Sequence, residues 1–338
     1  MVSRATKLRN RLAAVTAHLP GRAKTAFILS GGGSLGAVQV GMLRALFEAG
    51  ILPDLILGCS VGSINGAGYA ADPTLRGVAR LERIWRRLAA GDPDLMPGGR
   101  IPLAVQLARK GEALHDPTPL ENLLADELPV DYFSDLRVPF QCVATDLETA
   151  SEHWFDSGPI VPALMASASL PAVYPAREIG GRSFIDGGVL NEIHALRAVE
   201  LGASRLYVLH VGHLDNREMT VQRPFDGAMR AYWTHRRFRL ESDLGRVPSH
   251  CTIHRLPAGA TPRLRFDDFT KGPELSDLAY RQTTEFLQTG SVVETADEQE
   301  LASGPHETTW PISGSGGGER TSEDGEGPPV EGSDGASQ

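Results

Sequence analysis

The sequence predicts an α/β fold in three layers, with helices on both faces of a mainly parallel β-sheet. Two short apolar runs, at residues 25–30 and 55–58, end in glycine-containing turns. A segment with apolar or small residues at helical spacing follows each run. Because strand, helix, strand and helix in this order imply right-handed crossovers, the two strands are expected to lie parallel in one sheet.

Later parts of the chain continue this pattern. Strands are predicted at residues 140–146 and 206–211, and helices over 224–247 and 272–289. Residues 74–130 are expected to be mainly helical, with a break at Gly98-Gly99 that suggests a mobile cap. The chain is therefore divided into a basic N-terminal arm (1–23), a main α/β domain (24–215), a helical C-terminal extension (216–290) and a tail (291–338).

The negative charge of the chain is concentrated at one end. The net charge is −9, and the segment 297–338 alone holds ten acidic residues and one arginine, so residues 1–296 carry no net charge. This balance gives no basic field for binding nucleic acid. The tail is also rich in Gly and Ser and has few apolar residues, so we expect it to be disordered.

The three cysteines and the hydropathy pattern indicate a cytoplasmic protein. Cys59, Cys142 and Cys251 are isolated, with no zinc-binding spacing and no even set for a disulfide framework. There is no run of about 18 apolar residues that could span a membrane. The apolar stretch at residues 12–15 is too short for a signal peptide. Any contact with lipid is therefore expected to be peripheral.

The segment Gly58-Cys59-Ser60-Val61-Gly62 has the pattern GxSxG between a predicted strand and a predicted helix. In a nucleophile elbow the serine occupies a strained turn that exposes its hydroxyl, and the flanking glycines relieve crowding between strand and helix. The new helix also directs its amide groups towards a developing anion. Ser60 is therefore the candidate nucleophile, with Gly58 and Gly62 as motif glycines.

A second glycine motif lies after the first strand, at residues 30–36. Gly31, Gly33 and Gly36 fit the GxGxxG pattern of a dinucleotide-binding loop, which expects an acid at the end of the second strand. That strand ends in Gly58-Cys59-Ser60 instead. We therefore interpret Gly31, Gly32 and Gly33 as backbone donors of an oxyanion hole near Ser60.

A third motif, Phe184-Ile185-Asp186-Gly187-Gly188, places an acid before a flexible turn. Together with the segments 142–149 and 166–175, the three motifs resemble the patatin-like phospholipase family over about residues 26–209. The resemblance implies that Ser60 attacks an ester, that Asp186 accepts its proton in a Ser–Asp dyad, and that Gly187 and Gly188 belong to the aspartate motif. It makes residues 24–215 a patatin-like catalytic domain.

The resemblance also implies a substrate. It predicts a serine ester hydrolase that acts on lipid acyl esters, as a phospholipase or lysophospholipase does, with no metal and no organic cofactor. This chain has Leu35 where the family's glycine loop often carries Arg or Lys, and Asn191-Glu192-Ile193-His194 where a family-like Asn-x-Pro is expected.

Three alternatives remain open from the sequence. His210, at the end of a strand, is the best candidate for a Ser–Asp–His triad among the histidines that follow Asp186, which include His194, His210, His213, His235, His250 and His254. The basic-aromatic stretch, residues 230–239, fits either a helix at a membrane surface or a helix that packs its aromatics and solvates its arginines. Finally, the protein could be a non-catalytic lipid-binding or regulatory protein of the same fold.

Overall fold

The computed structural model describes residues 23–92, 116–211, 224–258 and 268–290. The acidic tail, the Gly98-Gly99 break and all but the last residue of the basic arm lie outside these ranges. The expectations for those segments, and the division of the chain into domains, remain predictions.

The described strands are β1 Thr25–Leu29, β2 Leu55–Cys59, β3 Phe140–Asp146, β4 Ser151–Phe155, β5 Arg177–Ile179, β6 Arg182–Asp186, β7 Arg205–Leu209 and β8 Thr252–Arg255. The described α-helices are α1 Ala37–Glu48, α2 Val61–Ala71, α3 Leu75–Ala89, α4 Thr118–Glu127, α5 Ile160–Ser167, α6 Ala195–Glu200, α7 Pro224–Gly245 and α8 Gly272–Thr289. The strands predicted from apolar runs are all present. The sequence did not reveal β4, β5, β6 or β8.

The eight described strands form one sheet, in which hydrogen-bonded neighbours follow the path β5-β6-β3-β2-β1-β7-β8 and β4 also pairs with β3. All neighbouring pairs from β3 through β2, β1 and β7 to β8 are parallel. The three pairs that involve β4, β5 and β6 are antiparallel. The predicted fold class, a mainly parallel sheet between helices, is confirmed.

Alternate residues of the central strands enter two separate cores. Phe27 and Leu29 of β1 belong to the larger core, which also contains apolar side chains of α1, α2 and α8. Ala26 and Ile28 belong to a smaller core on the opposite face, with α6 and Leu240 of α7. Because strand side chains alternate between faces, helices cover both sides of the sheet and produce three layers.

The edges of β3 determine which loops meet. β4 pairs with residues 142–146 of β3. β2 and β6 also pair with parts of that segment, so both must use the other edge, because a strand has only two. On that edge Cys59 of β2 is opposite Val143, and Asp186 of β6 is opposite the next residue, Ala144. The ends of β2 and β6 are thereby brought together.

We predict that the close contact between α1 and α8 makes Gly41 indispensable for stability. A Cβ at Gly41 would lie 2.0 Å from the Ser276 carbonyl oxygen, which belongs to a helix backbone and cannot easily move. Gly41→Ala should lower the free energy of unfolding by about 1–3 kcal/mol, measured by urea denaturation. Gly245→Ala is the control, because a Cβ there meets no atom within 4 Å. Equal stability of the two variants would contradict the prediction.

Candidate active site

Ser60 occupies the sharp turn between β2 and α2. Its backbone angles are φ 54° and ψ −127°, a region that residues with a side chain rarely adopt. Such strain persists only where the surrounding structure enforces it, and it is common at functional sites. The side chain is partly exposed, while the strand and the helix on either side are mostly buried.

The two glycines that flank Ser60 allow this turn to form. A Cβ at Gly58 would lie 2.5 Å from Ser63 Cα, and one at Gly62 would lie 2.4 Å from the carbonyl oxygens of Leu29 and Ser30. Both clashes would be with backbone, which cannot give way as a flexible side chain can. The turn therefore has no room for a side chain at either position.

Hydrogen bonds hold the backbone of Ser60 on both sides. Its amide donates to Ser167 Oγ at 3.0 Å, and its carbonyl accepts from Ser63 Oγ at 2.6 Å. The Ser60 amide is thus already paired with a side chain and is not free to bind a substrate oxygen.

Asp186 ends β6 and is only 1% exposed. Its carboxylate accepts a hydrogen bond from the Gly188 amide at 2.8 Å. The Ser60 hydroxyl is near enough to the carboxylate to lower its pKa. The Asp186 amide donates to the Ser169 carbonyl at 2.9 Å. Gly187 packs so closely on β3 that a Cβ there would lie 2.6 Å from the Val143 carbonyl oxygen. The structure therefore brings the sequence-predicted Ser60 and Asp186 to the same place.

Burial raises the pKa of Asp186 above that of an ordinary aspartate. The Ser60 hydroxyl, the hydrogen bond from the Gly188 amide and the positive charge of Arg236 oppose this effect on the pKa and stabilise the carboxylate. A carboxyl group with a raised pKa is a stronger base when ionised. It is consequently better suited to accept the proton of an alcohol.

The glycine loop, residues 30–36, lies against the same turn. A Cβ at Gly31 would lie 3.2 Å from Ser60 Cβ, and one at Gly32 would lie 2.0 Å from Val211 Cγ2. Gly32 and Gly33 both have positive φ values, 156° and 57°. Within the described part of the chain, no hydrogen bond is present from the amides of Gly31, Gly32 or Gly33. These amides are therefore available to a ligand next to Ser60.

Buried polar side chains hold both ends of this loop. The Oγ atom of Ser30 accepts a hydrogen bond from the Val211 amide at 3.1 Å. The Ser30 carbonyl accepts a hydrogen bond from the Gln39 side chain at 2.8 Å. At the other end the Gly36 carbonyl accepts from Asn65 at 2.9 Å. Gly36 also abuts Val61, whose Cγ2 would lie 2.4 Å from a Cβ at that glycine.

Arg236 of α7 reaches this site, which the sequence did not reveal. It is 2% exposed, forms an ion pair with the equally buried Glu192, and donates from Nη2 to the Gly31 carbonyl at 3.1 Å. Both interpretations of the basic-aromatic stretch left its arginines in solvent or at a lipid surface. For Arg236 that expectation is wrong. A signal for the pair was present in Glu192, an acid beside the aspartate motif.

The described histidines have other partners. His210 lies 3.5 Å from Arg255 Nε, His235 bonds the Leu190 carbonyl, and His254 stacks on Tyr207. His194 faces Glu152, and burial lowers its pKa to about 3. None of these contacts involves Ser60 or Asp186, and His213 lies outside the described ranges.

The described residues contain neither a metal-binding cluster nor a membrane-spanning helix. No cluster of three or more His, Cys, Asp or Glu side chains there could hold a metal ion. No described helix combines the length and the apolar character needed to cross a bilayer.

Comparison with known proteins identifies related sequences. The family model described as patatin-like phospholipase matches residues 27–199. The chain is 28% identical over 210 residues to patatin-like phospholipase domain-containing protein 7 of Rattus norvegicus, covering 62% of this chain and 15% of the relative. It is 25% identical over 292 residues to lysophospholipase NTE1 of Phaeosphaeria nodorum, covering 77% and 18%. The chain thus spans under a fifth of these relatives.

Solved structures with similar arrangements include bacterial proteins. VipD from Legionella pneumophila matches with a TM-score of 0.42 at 15% identity, over 79% of this chain and 67% of that chain. ExoU from Pseudomonas aeruginosa, in complex with SpcU, matches with a TM-score of 0.40 at 16% identity, over 79% and 51%.

We predict that Ser167 supports the turn at Ser60 through its side chain. Ser167→Ala removes the acceptor of the Ser60 amide and should destabilise the fold by about 1–2 kcal/mol, measured by denaturant unfolding. Ser169→Ala is the matched control: it keeps the backbone bond to Asp186 and loses only a bond to the Met165 carbonyl within the same segment. A greater loss of stability in the Ser169 variant would contradict the assignment.

Proposed function

The chain belongs to the patatin-like phospholipase family, and from this premise we propose that it is a serine hydrolase of lipid acyl esters. Ser60 is the nucleophile, Asp186 is its proton acceptor, and the amides of Gly31, Gly32 and Gly33 form the oxyanion hole. The observation that carries the proposal is the strained turn at Ser60, whose hydroxyl stabilises the charge of the buried Asp186 carboxylate. A lipid-binding protein without turnover would not need that arrangement.

In the acylation step, Ser60 Oγ attacks the carbonyl carbon of the ester while Asp186 takes the hydroxyl proton. The negative charge that develops on the carbonyl oxygen is stabilised by the glycine-loop amides. The carbon–oxygen bond to the alcohol then breaks, and the alcohol leaves with the proton held by Asp186. The product is an acyl-serine.

Deacylation repeats these roles with water. Asp186 removes a proton from a water molecule, the hydroxide attacks the acyl carbon, and Ser60 Oγ leaves and regains a proton. Cys59, directly before the nucleophile, does not compete, because burial raises the pKa of its thiol and keeps it protonated.

The substrate class follows from the family and from the relatives. A lysophospholipid or a neutral glyceride is the proposed substrate, since one relative is named a lysophospholipase. We also propose peripheral contact with lipid through the basic-aromatic stretch, where the Phe238 side chain is 70% exposed. A large exposed aromatic side chain on a basic helix is suited to the interface of a bilayer.

The dyad predicts a specific pattern of activity loss. Ser60→Ala and Asp186→Asn should each reduce kcat for a p-nitrophenyl acyl ester by at least about 10³-fold, because the two residues act as one unit. His210→Ala should change kcat less than about threefold, because its partner is Arg255. Labelling by a fluorophosphonate should require Ser60.

Three results would contradict the proposed function, and each would do so in a different way. Near wild-type turnover in a folded Ser60→Ala variant would exclude the nucleophile. Loss of activity in His210→Ala, with circular dichroism unchanged, would replace the dyad by a triad. A wild-type protein that binds lysophospholipid micelles but shows no labelling and no turnover would be the non-catalytic alternative.

The raised pKa of Asp186 predicts the acid side of the pH profile. The reaction needs the carboxylate, which is present above this pKa and lost as the pH falls through it. The logarithm of kcat/KM should therefore decline on the acid side with unit slope, at a pH above the usual range of an aspartate. If His210→Ala shows the same pH profile, the titrating group is identified as Asp186. If the acid-side decline disappears in His210→Ala, the titrating group is the histidine.

A further inference from the structure

Arg236 is a buried cation at the back of the proposed oxyanion hole. It comes from α7, far along the chain from the glycine loop, and its Nη2 donates to the Gly31 carbonyl at 3.1 Å. The same Nη2 meets the Glu192 carboxylate, and both side chains are about as buried as the core, at 2% and 3% exposed. Arg236 is thus tied both to the loop and to the segment that follows Asp186.

The charge on Arg236 survives burial. Removal from water lowers its pKa to about 10, and the negative charge of the nearby Asp186 opposes that change. The guanidinium is therefore positive at neutral pH. A buried ion pair is weak evidence of a stabilising role, because apolar side chains of similar volume often stabilise a fold equally well. The presence of the buried Arg236–Glu192 pair must therefore be explained by the part of the structure that the pair holds in place.

The Arg236–Glu192 pair holds the glycine loop, which is the least constrained part of the site. Three glycines in succession have access to many backbone conformations, and Gly32 and Gly33 adopt positive φ values here. The ends of the loop are fixed through Ser30 and Gly36. Between them, the Gly31 carbonyl is held only by Arg236 and by Ser30 Oγ, at 3.0 Å, among the described residues.

The direction of that carbonyl fixes the direction of the next amide. In a planar trans peptide the C=O and the following N–H point in opposite directions. Since the Gly31 oxygen points to Arg236, the Gly32 N–H must point away from α7. A rotation of this peptide would exchange the two groups and would place a carbonyl oxygen where an anion has to bind.

We propose that Arg236, oriented by Glu192, is a positioning residue that locks the Gly31–Gly32 peptide so that the Gly32 amide serves the oxyanion. This proposal rests on the proposed function, because it assigns a role within the same site. The charge contributes as well as the geometry: a cation bonded to a carbonyl polarises the peptide and strengthens its N–H as a donor. Arg236 itself does not touch the substrate.

The test separates positioning from stability with a neutral double variant. Arg236→Met together with Glu192→Met removes both charges and leaves no unpaired ion in the core. We expect the double variant to fold with a melting temperature near that of the wild type. Its kcat for a p-nitrophenyl acyl ester should fall about 100-fold, the cost of losing one oxyanion donor, with KM changed less than about threefold. Rates are compared on the plateau of the pH profile, so that a change in the pKa of Asp186 does not contribute.

Arg246→Gln is the matched control, at the residue directly after the same helix. Arg246 lies 3.7 Å from the buried Asp243 of α7, so its loss should loosen the packing of α7 without touching the glycine loop. It should leave kcat within about threefold of the wild type. An equal loss of kcat in Arg246→Gln and in the double variant would overturn the proposal in favour of general packing of α7.

Arg236→Lys provides a second test in case the double variant does not fold. A lysine ammonium can neutralise Glu192, but its flexible stem cannot fix a donor where Arg236 Nη2 meets both the Gly31 carbonyl and the Glu192 carboxylate. We expect a folded protein with kcat reduced about tenfold or more. Wild-type kcat in Arg236→Lys, or in a folded double variant, would overturn the role of the Gly31 bond.

Failure of this proposal differs from failure of the proposed function. If turnover in the otherwise wild-type protein survives Ser60→Ala, the proposed function fails. If turnover depends on Ser60 but persists in full in the double variant, only the role of Arg236 fails.

Discussion

The site depends on the shared edge of β3. Two strands of opposite direction use that edge in succession: β2 runs along its first half and β6 along its second half. Cys59 and Asp186 are paired with consecutive residues of β3. Because of this pairing, Ser60 lies beside the carboxylate, and its position does not depend on the conformation of a loop. The backbone hydrogen bonds of the sheet, which are strong and directional, thus fix the separation of the two groups. The glycines at residues 58, 62 and 187 then make room for the backbones that this geometry crowds together.

The local parts of this arrangement could be predicted from the sequence. Apolar runs that end in glycine marked β1 and β2, and the GxSxG pattern marked the turn at Ser60. The antiparallel strands were missed because β4 is half exposed and β5 has only three residues, so neither has a continuous apolar run. Arg236 was missed for a different reason. Its burial depends on Glu192, a partner 44 residues earlier in the chain, and nothing in the local pattern distinguishes it from the arginines around it.

The electrostatics of the site combine two opposed requirements. Asp186 must be buried to be basic, yet a carboxylate buried alone would take up a proton and lose that property. The structure resolves this with the Ser60 hydroxyl and the Gly188 amide beside the carboxylate and with the positive charge of Arg236, which is itself balanced by Glu192. Three buried charged groups are tolerated because each has an opposite charge or a hydrogen-bond donor nearby. The charges at the surface contribute little by comparison, since water screens them.

The position of β7 and α7 has a consequence for how this protein can be divided. The match to the family model ends at residue 199, whereas β7 pairs with the central strand β1 and α7 supplies Arg236. A chimera joined at that boundary would inherit Ser60 and Asp186, the proposed nucleophile and base, together with a foreign strand beside β1 and a foreign helix behind the glycine loop. The module that evolution or an engineer can exchange intact therefore extends at least to the end of α7, well past the last residue that the family model matches.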